Sequence, residues 1–284
     1  MTSNERDSWI SDIDATLSKW SQGDCTIGSD CWFITRFDPQ RPLTPAAANV
    51  VAVDPNTDLT ESSVSGFVVV TQTCDLVRSC AERPFVEVAP LVAVDDQYLQ
   101  DIHRLKRPRY AYIAGVAEFN LVADLDRVMT VEKAVVAGWE RISGCLSDAD
   151  TRLLAEALAR KRSRFAFPDD FNEFAQKLQK RMQDKHEKSS TEGKALRALL
   201  EIRVSATPAW DAERVELMFW FIRAEEDVLF KNKGWHELLA QWLKLLPPSA
   251  RFSAVDGTVV SLDDMTAKDY LHSDRLDLDR LSSH

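Results

Sequence analysis

The stretch GFVVVTQTCDLVRSCAERPFVEVAPL, Gly66–Leu91, constrains the fold more than any other part of the chain. Two short runs rich in β-branched and aromatic residues, Phe67–Val70 and Phe85–Val88, flank a polar link, and no helical period fits either. They read as core strands, neighbours in one small sheet. Between them TQTCDL, Thr71–Leu76, ends an apolar strand in small polar groups, the way a sheet presents chemistry at its rim. Gln72, Thr73, Cys74 and Asp75 are therefore the first candidates for ligand or partner binding. As a nucleophile Cys74 is poorly served, with an anion beside it and no histidine nearby in sequence to activate it. The structural alternative is a turn in which Thr73 or Asp75 accepts backbone amides and Cys74 packs inward.

At 284 residues the chain exceeds the usual single domain. The expected class is α+β: a leading helix over 1–22, an SH3-like β-barrel over 23–129, a helical segment over 130–187 and a small α+β domain over 194–284. With 45% hydrophobic and 28% charged residues it has the balance of a globular protein. No run approaches the roughly 20 apolar residues of a membrane span, so the expected setting is cytoplasmic, away from membranes. A net charge of −10 argues against non-specific nucleic-acid binding by the whole surface.

Along the chain, Ser8–Trp20 places Trp9, Ile10, Ile13, Leu17 and Trp20 on one helical face. Cys31–Ile34 alternates as a strand, and the loop Thr44–Ser65 carries an apolar run, Val50–Val53, that reads as an edge strand. Asp95–Arg104 predicts a short helix or turn, and Phe119–Val128 a last strand pair or strand-to-turn element. A helix is predicted from about Thr130 through Ile142, and another from Ser147, whose capping partner is Asp150. Phe167-Pro168-Asp169-Asp170 opens a third helix, with Asp184–Gly193 as the linker after it. In the C-terminal part, Leu199–Ala206 and Val215–Ile222 predict a hairpin and Trp235–Leu246 a helix stopped by Pro247-Pro248. Phe252–Leu262 reads as two short strands turning at Asp256-Gly257, and Leu271–His284 as a tail that docks on its own domain or on a partner.

Two further constellations carry chemistry. In RLKRPRY, Arg104, Lys106, Arg107 and Arg109 stand beside Tyr110, and cations mixed with stackable rings can hold single-stranded nucleic acid. The alternative is a solvated loop before a strand. Cys25 and Cys31 repeat the spacing of Cys74 and Cys80, which would permit a four-thiolate metal site if the two segments met; buried thiols are the alternative, and no cofactor or metal is expected. Phosphate-binding glycine loops, paired-histidine metal signatures and nucleophile elbows are absent from the sequence.

Gly23-Asp24 before the strand Cys31–Ile34, the long loop Arg36–Ser65, the strand Phe67–Thr71 and then VEVAPL, Val86–Leu91, resemble in order and spacing the MazF/PemK (Kid-like) toxins, over Gly23–Val128. That family is a small SH3-like barrel that cleaves RNA without metal. Its catalytic arginine falls where this chain has Val64-Ser65-Gly66, and its catalytic threonine where this chain has Val92, so neither residue is kept. The resemblance implies a catalytically altered barrel acting as a binding or regulatory component of a bacterial stress-response, toxin-antitoxin or phage-defence system, with another protein as partner and a homodimer by analogy. The alternative it implies is a metal-independent endoribonuclease with a non-standard site, its RNA gripped by the RLKRPRY segment.

Overall fold

The computed structural model describes residues 3–105, 107–163, 165–186, 188–223 and 234–276. The chain is mixed α+β and divides into two compact units, Met1–Ser163 and Arg164–His284.

The first unit runs α1 (Ser3–Leu17), β1 (Cys25–Arg36), α2 (Pro45–Val53), β2 (Leu59–Val69), α3 (Thr73–Leu76), β3 (Phe85–Ala93), α4 (Asp96–His103), β4 (Tyr110–Tyr112), a 3-10 turn (Ala114–Phe119), β5 (Leu121–Asp124), β6 (Met129–Glu132), α5 (Lys133–Ala137) and α6 (Asp148–Arg162). Its strands form one antiparallel sheet, ordered β1-β2-β3-β5-β4, that curls into a half-barrel. The hub is β3. On one edge it pairs with β2 (Val69↔Val88, Val68↔Ala89, Phe67↔Pro90), so the two runs expected to be neighbours are neighbours. On the other edge β6 and β5 lie end to end, Met129 opposite Val88 and Ala123 opposite Leu91.

These strands are continuously apolar because both faces of the sheet are covered. Phe67, Val69, Val86 and Val88 pack with Leu17, Trp20 and Val136 on one face. Val68, Val70, Ala89 and Leu91 pack with Ile113, Leu121, Leu154 and Ala157 on the other. The leading helix therefore lies across the sheet through its C-terminal end, while Trp9, expected on its buried face, is exposed.

Two close backbone approaches fix the geometry. In β1 the pairing jumps from Ile27↔Gly66 to Cys31↔Val64, a bulge over which a Cβ at Gly66 would lie 2.0 Å from the Thr26 carbonyl oxygen. At the start of β1, Cys25 and Ile142 exchange backbone hydrogen bonds of 2.9 and 2.7 Å, and Gly144 crosses so near that a Cβ there would sit 1.7 Å from the Gly23 oxygen. Only glycine fits.

The second unit runs α7 (Asp169–His186), α8 (Thr191–Ala198), β7 (Leu199–Thr207), β8 (Val215–Arg223), α9 (Trp235–Leu243), β9 (Phe252–Ser261), α10 (Ala267–Leu271) and β10 (Asp274–Arg275). The predicted hairpin is β7-β8, and the sheet order is β10-β7-β8-β9. Phe171, Phe174 and Leu178 of α7, Leu196 of α8, and Leu238 and Trp242 of α9 share one core with Ile202, Val204, Phe219 and Phe221.

Several expectations are corrected. Val50–Val53 belongs to helix α2, whose start is set by Thr44, accepting the Ala47 amide at 3.2 Å, and by Pro45 at the first position. Of the two readings of Phe119–Val128 the strand-to-turn one holds, β5 following the end of a 3-10 turn and running into a turn, while residues 129–132 are strand β6, so the helix expected from Thr130 shrinks to the five residues of α5. Phe252–Ser261 is one unbroken strand parallel to β8, as the helix between β8 and β9 allows. The helical segment expected over 130–187 is split: α5 and α6 serve the first unit, while α7 supplies the aromatic floor of the second, so the boundary falls after Ser163. Correspondingly, Asp184–Gly193 covers the end of α7 and the first turn of α8, and lies within the second unit. Residues 277–284 of the expected tail lie outside the described residues.

Candidate functional site

The polar corner Gln72–Asp75 is a single helical turn, α3, directly after β2. The amide of Gln22 donates to the Thr73 hydroxyl at 3.0 Å, and the Gln22 side chain donates to the Val70 carbonyl at 2.7 Å, tying the corner to the loop before β1. Cys74 is exposed rather than packed inward, because its neighbour Leu76 takes the buried position of the turn. Asp75 stands 3.7 Å from Arg78.

Beneath the corner lies a residue the sequence did not single out. Lys133, at the start of α5, is 1% exposed, and its ammonium donates to the carbonyl oxygens of Asp75 (3.1 Å) and Arg78 (2.5 Å). The Asp75 carbonyl is one that a one-turn helix leaves without an intrahelical partner, and Arg78 lies just beyond the turn. Burial pushes the lysine's pKa down, against the opposing pull of Asp14, Cys80 and Asp75. Asp14 of α1 accepts the Cys80 amide at 2.8 Å and binds the same loop from its other side. Burial, followed by the Asp14 carboxylate, pushes the Cys80 thiol up. The corner is thus held rigidly from α1 and α5, with Cys74 and Gln72 left facing outward.

The basic segment is engaged with its own fold. Arg107 meets Asp101 at 3.2 Å and lies over the Tyr98 ring, 4.8 Å from its centroid. Arg109 donates to both oxygens of the fully buried Asp124 (3.1 and 2.9 Å) and lies 5.0 Å above the Tyr110 ring, which also packs edge-on against Tyr98. Burial acts to raise the Asp124 carboxyl, but the hydrogen bonds from Arg109 and Arg127 outweigh it and hold the group below the usual carboxylate range. Arg104 is exposed at the end of α4, and Lys106 lies outside the described residues. Arg107 and Arg109, expected to face a nucleic acid, are here paired with Asp101, Asp124 and Asp126.

An open cleft of about 430 Å³ is lined by Gly28, Ser63, Val64, Ser65, Leu91, Val92, Ala93 and Arg127. It opens where β2 and β3 part company. Their ladder ends at Phe67↔Pro90, beyond which Gly66 is drawn into the bulge opposite Ile27. In that register Ser65 would face Val92 and Val64 would face Ala93, and these are the residues that form the opposing walls. Arg127, 35% exposed, is held by its Nε on Asp124 at 2.8 Å and lies over the Phe33 ring. The lining offers two hydroxyls, one guanidinium and apolar surface, and it contains no histidine, thiol or carboxylate to act as acid or base.

The cysteines do not assemble. Cys25 is fully buried, where desolvation, with Asp24 and Cys145 beside it, pushes its thiol up to about 12. Among the described residues no three histidine, cysteine or carboxylate groups come together as a metal would require. Compared with protein-family models, curated proteins and solved structures, the chain finds no match.

Proposed function

We propose that the first unit is a binding or regulatory component built on a catalytically altered, SH3-like, PemK-like barrel, serving a bacterial stress-response, toxin-antitoxin or phage-defence system through another protein. The observation that carries this reading is the composition of the cleft. It occupies the positions where the resemblance would set a catalytic arginine and threonine, Val64–Ser65 and Val92, and it presents valine, serine and one arginine without a proton donor or acceptor pair. Such a surface recognises; it lacks the groups for in-line attack on a phosphodiester. The outward-facing Gln72 and Cys74 on the rigid corner offer that partner a second contact.

The test is direct. Purified full-length chain incubated with end-labelled RNA in chelator is expected to leave the RNA intact, while affinity purification from the native host recovers a stoichiometric protein partner. Cleavage of RNA by the chain alone, abolished by Arg127→Ala, would overturn the reading in favour of an endoribonuclease.

A further inference from the structure

The walls of the cleft are two strand edges. Ser63 and Val64 are paired to Trp32 and Cys31 of β1 on their outer side, and Leu91, Val92 and Ala93 to β5 on theirs. In an antiparallel ladder, successive residues turn their N–H and C=O alternately to the two sides. Each inner edge therefore presents main-chain donors and acceptors to the cleft, and among the described residues no strand pairs with them there. An unpaired edge accepts another strand readily. Here two such edges face one space.

The side chains add selectivity. Val92 and Ala93 give the walls accessible apolar surface, with Val64 and Leu91 buried behind it, Ser63 and Ser65 add hydroxyls, and Arg127 is preorganised by Asp124 and Phe33. Nucleic acid is disfavoured as the occupant: the lining has a single cation, part of which is spent on Asp124, and no aromatic ring on which a base could stack.

Resting on the reading of this unit as a binding component, we propose that the cleft receives an extended peptide segment of a partner protein, which pairs through its main chain with β2 and β3 and sets a carboxylate on Arg127. Three residues on each wall span roughly 10 Å of strand, which sets the recognised stretch at three to four residues. Apolar β-branched side chains at alternate positions face Val92 and Ala93, and the carboxylate comes from an acidic side chain or a free C-terminus.

The experiment uses the full chain and two phage libraries of random octapeptides, one displayed internally and one with a free C-terminus. Selected peptides are synthesised with free, amidated and alternately N-methylated backbones and titrated by fluorescence anisotropy. The expected result is enrichment of alternating β-branched sequences bearing one carboxylate, from the first library if it is a side chain and from the second if it is a terminus. N-methylation of alternate amides then weakens binding at least ten-fold. Ser63→Tyr, at an exposed wall position outside the core, abolishes it, and Arg127→Gln reduces it at least ten-fold with an unchanged circular dichroism spectrum. Amide exchange slows on binding at the cleft-facing amides among residues 63–65 and 91–93. The proposal is overturned if selection on the native chain enriches nothing beyond selection on Ser63→Tyr, if N-methylation is harmless, or if protection falls elsewhere. It is also overturned if the chain forms a concentration-dependent dimer that protects these same amides. Any of these without RNA cleavage removes the strand-insertion site and leaves the binding reading standing, whereas RNA cleavage by the chain removes that reading first.

Discussion

The two units bury different kinds of group. Inside the second, Phe171, Phe219, Phe221, Trp242 and Phe252 meet ring against ring, with Phe221 and Trp242 stacked at 5.0 Å between centroids. Its buried Glu192 is fully served by Arg181, at 3.0 and 2.8 Å, and by the Trp242 indole at 3.1 Å. The first unit hides Lys133, Asp24 and Asp124, and each of them anchors a loop: the corner after β2, the crossing at residues 141–144, and the turn that carries Arg127. Volume and shape thus hold one unit, whereas in the other, buried charge positions the segments around the candidate site.

Mutations can break or sharpen this contrast. The largest effect is expected from Phe219→Ala, a ring deletion in the second core, at about 3–5 kcal/mol in urea unfolding, with faster amide exchange across β7 and β8. Next comes Lys133→Met, which keeps the volume but strands the carbonyls of Asp75 and Arg78; a loss of about 2–4 kcal/mol is expected, with exchange accelerated at residues 73–80. A neutral or stabilising Lys133→Met would show that apolar packing alone supports this corner and would erase the contrast.

Asp124→Asn should cost about 2 kcal/mol, less than a wholly buried pair because Arg109 is half exposed. The sign with pH follows from the depressed carboxyl: its stabilisation is complete above the unfolded value near ~3.9 and is lost as pH falls through the lower folded value. The stability gap between wild type and Asp124→Asn should therefore begin to narrow as pH falls below about 4 and close only below the folded value. A gap that persists under acid would assign the role of Asp124 to packing.

Smallest is Cys74→Ser, expected to change stability by less than about 0.5 kcal/mol. In the wild type, an aromatic disulfide reagent at pH 8 should modify Cys74 promptly, while Cys25, buried and with its thiol pushed up to about 12, reacts only on unfolding. Prompt modification of Cys25 would mean that the start of β1 opens freely.

Much of this architecture is written locally. The strands of the hub are legible because two buried faces demand uninterrupted valine and phenylalanine, and the helix from Ser147 because its hydroxyl accepts the Asp150 amide at 3.2 Å. Helix α2 was misleading for the opposite reason: its valines favour strand, and the decisive signals, Thr44 and Pro45, precede them. At Asp256-Gly257 the aspartate oxygen accepts the glycine's own amide at 2.7 Å while the strand runs straight on, held by β8. Lys133 left no local trace, since its acceptors are 58 and 55 residues away. The cleft was equally hidden: it arises from the parting of β2 and β3, which no single segment encodes, although Gly66 marks the bulge beside it.

The crossing of Ile142–Gly144 over the start of β1 governs how the N-terminal half can be dissected. A fragment cut after residue 129, where the half-barrel's last strand has only begun, would discard Lys133, the Arg141 guanidinium that meets Asp24 at 2.6 Å, and the segment bonded to Cys25. It would leave a raw sheet edge and a shielded carboxylate with no cation, which favours precipitation over folding. Expression that stops at Ser163 keeps all three and ends at the boundary of the compact unit, so ligand capture by an N-terminal piece is best measured there.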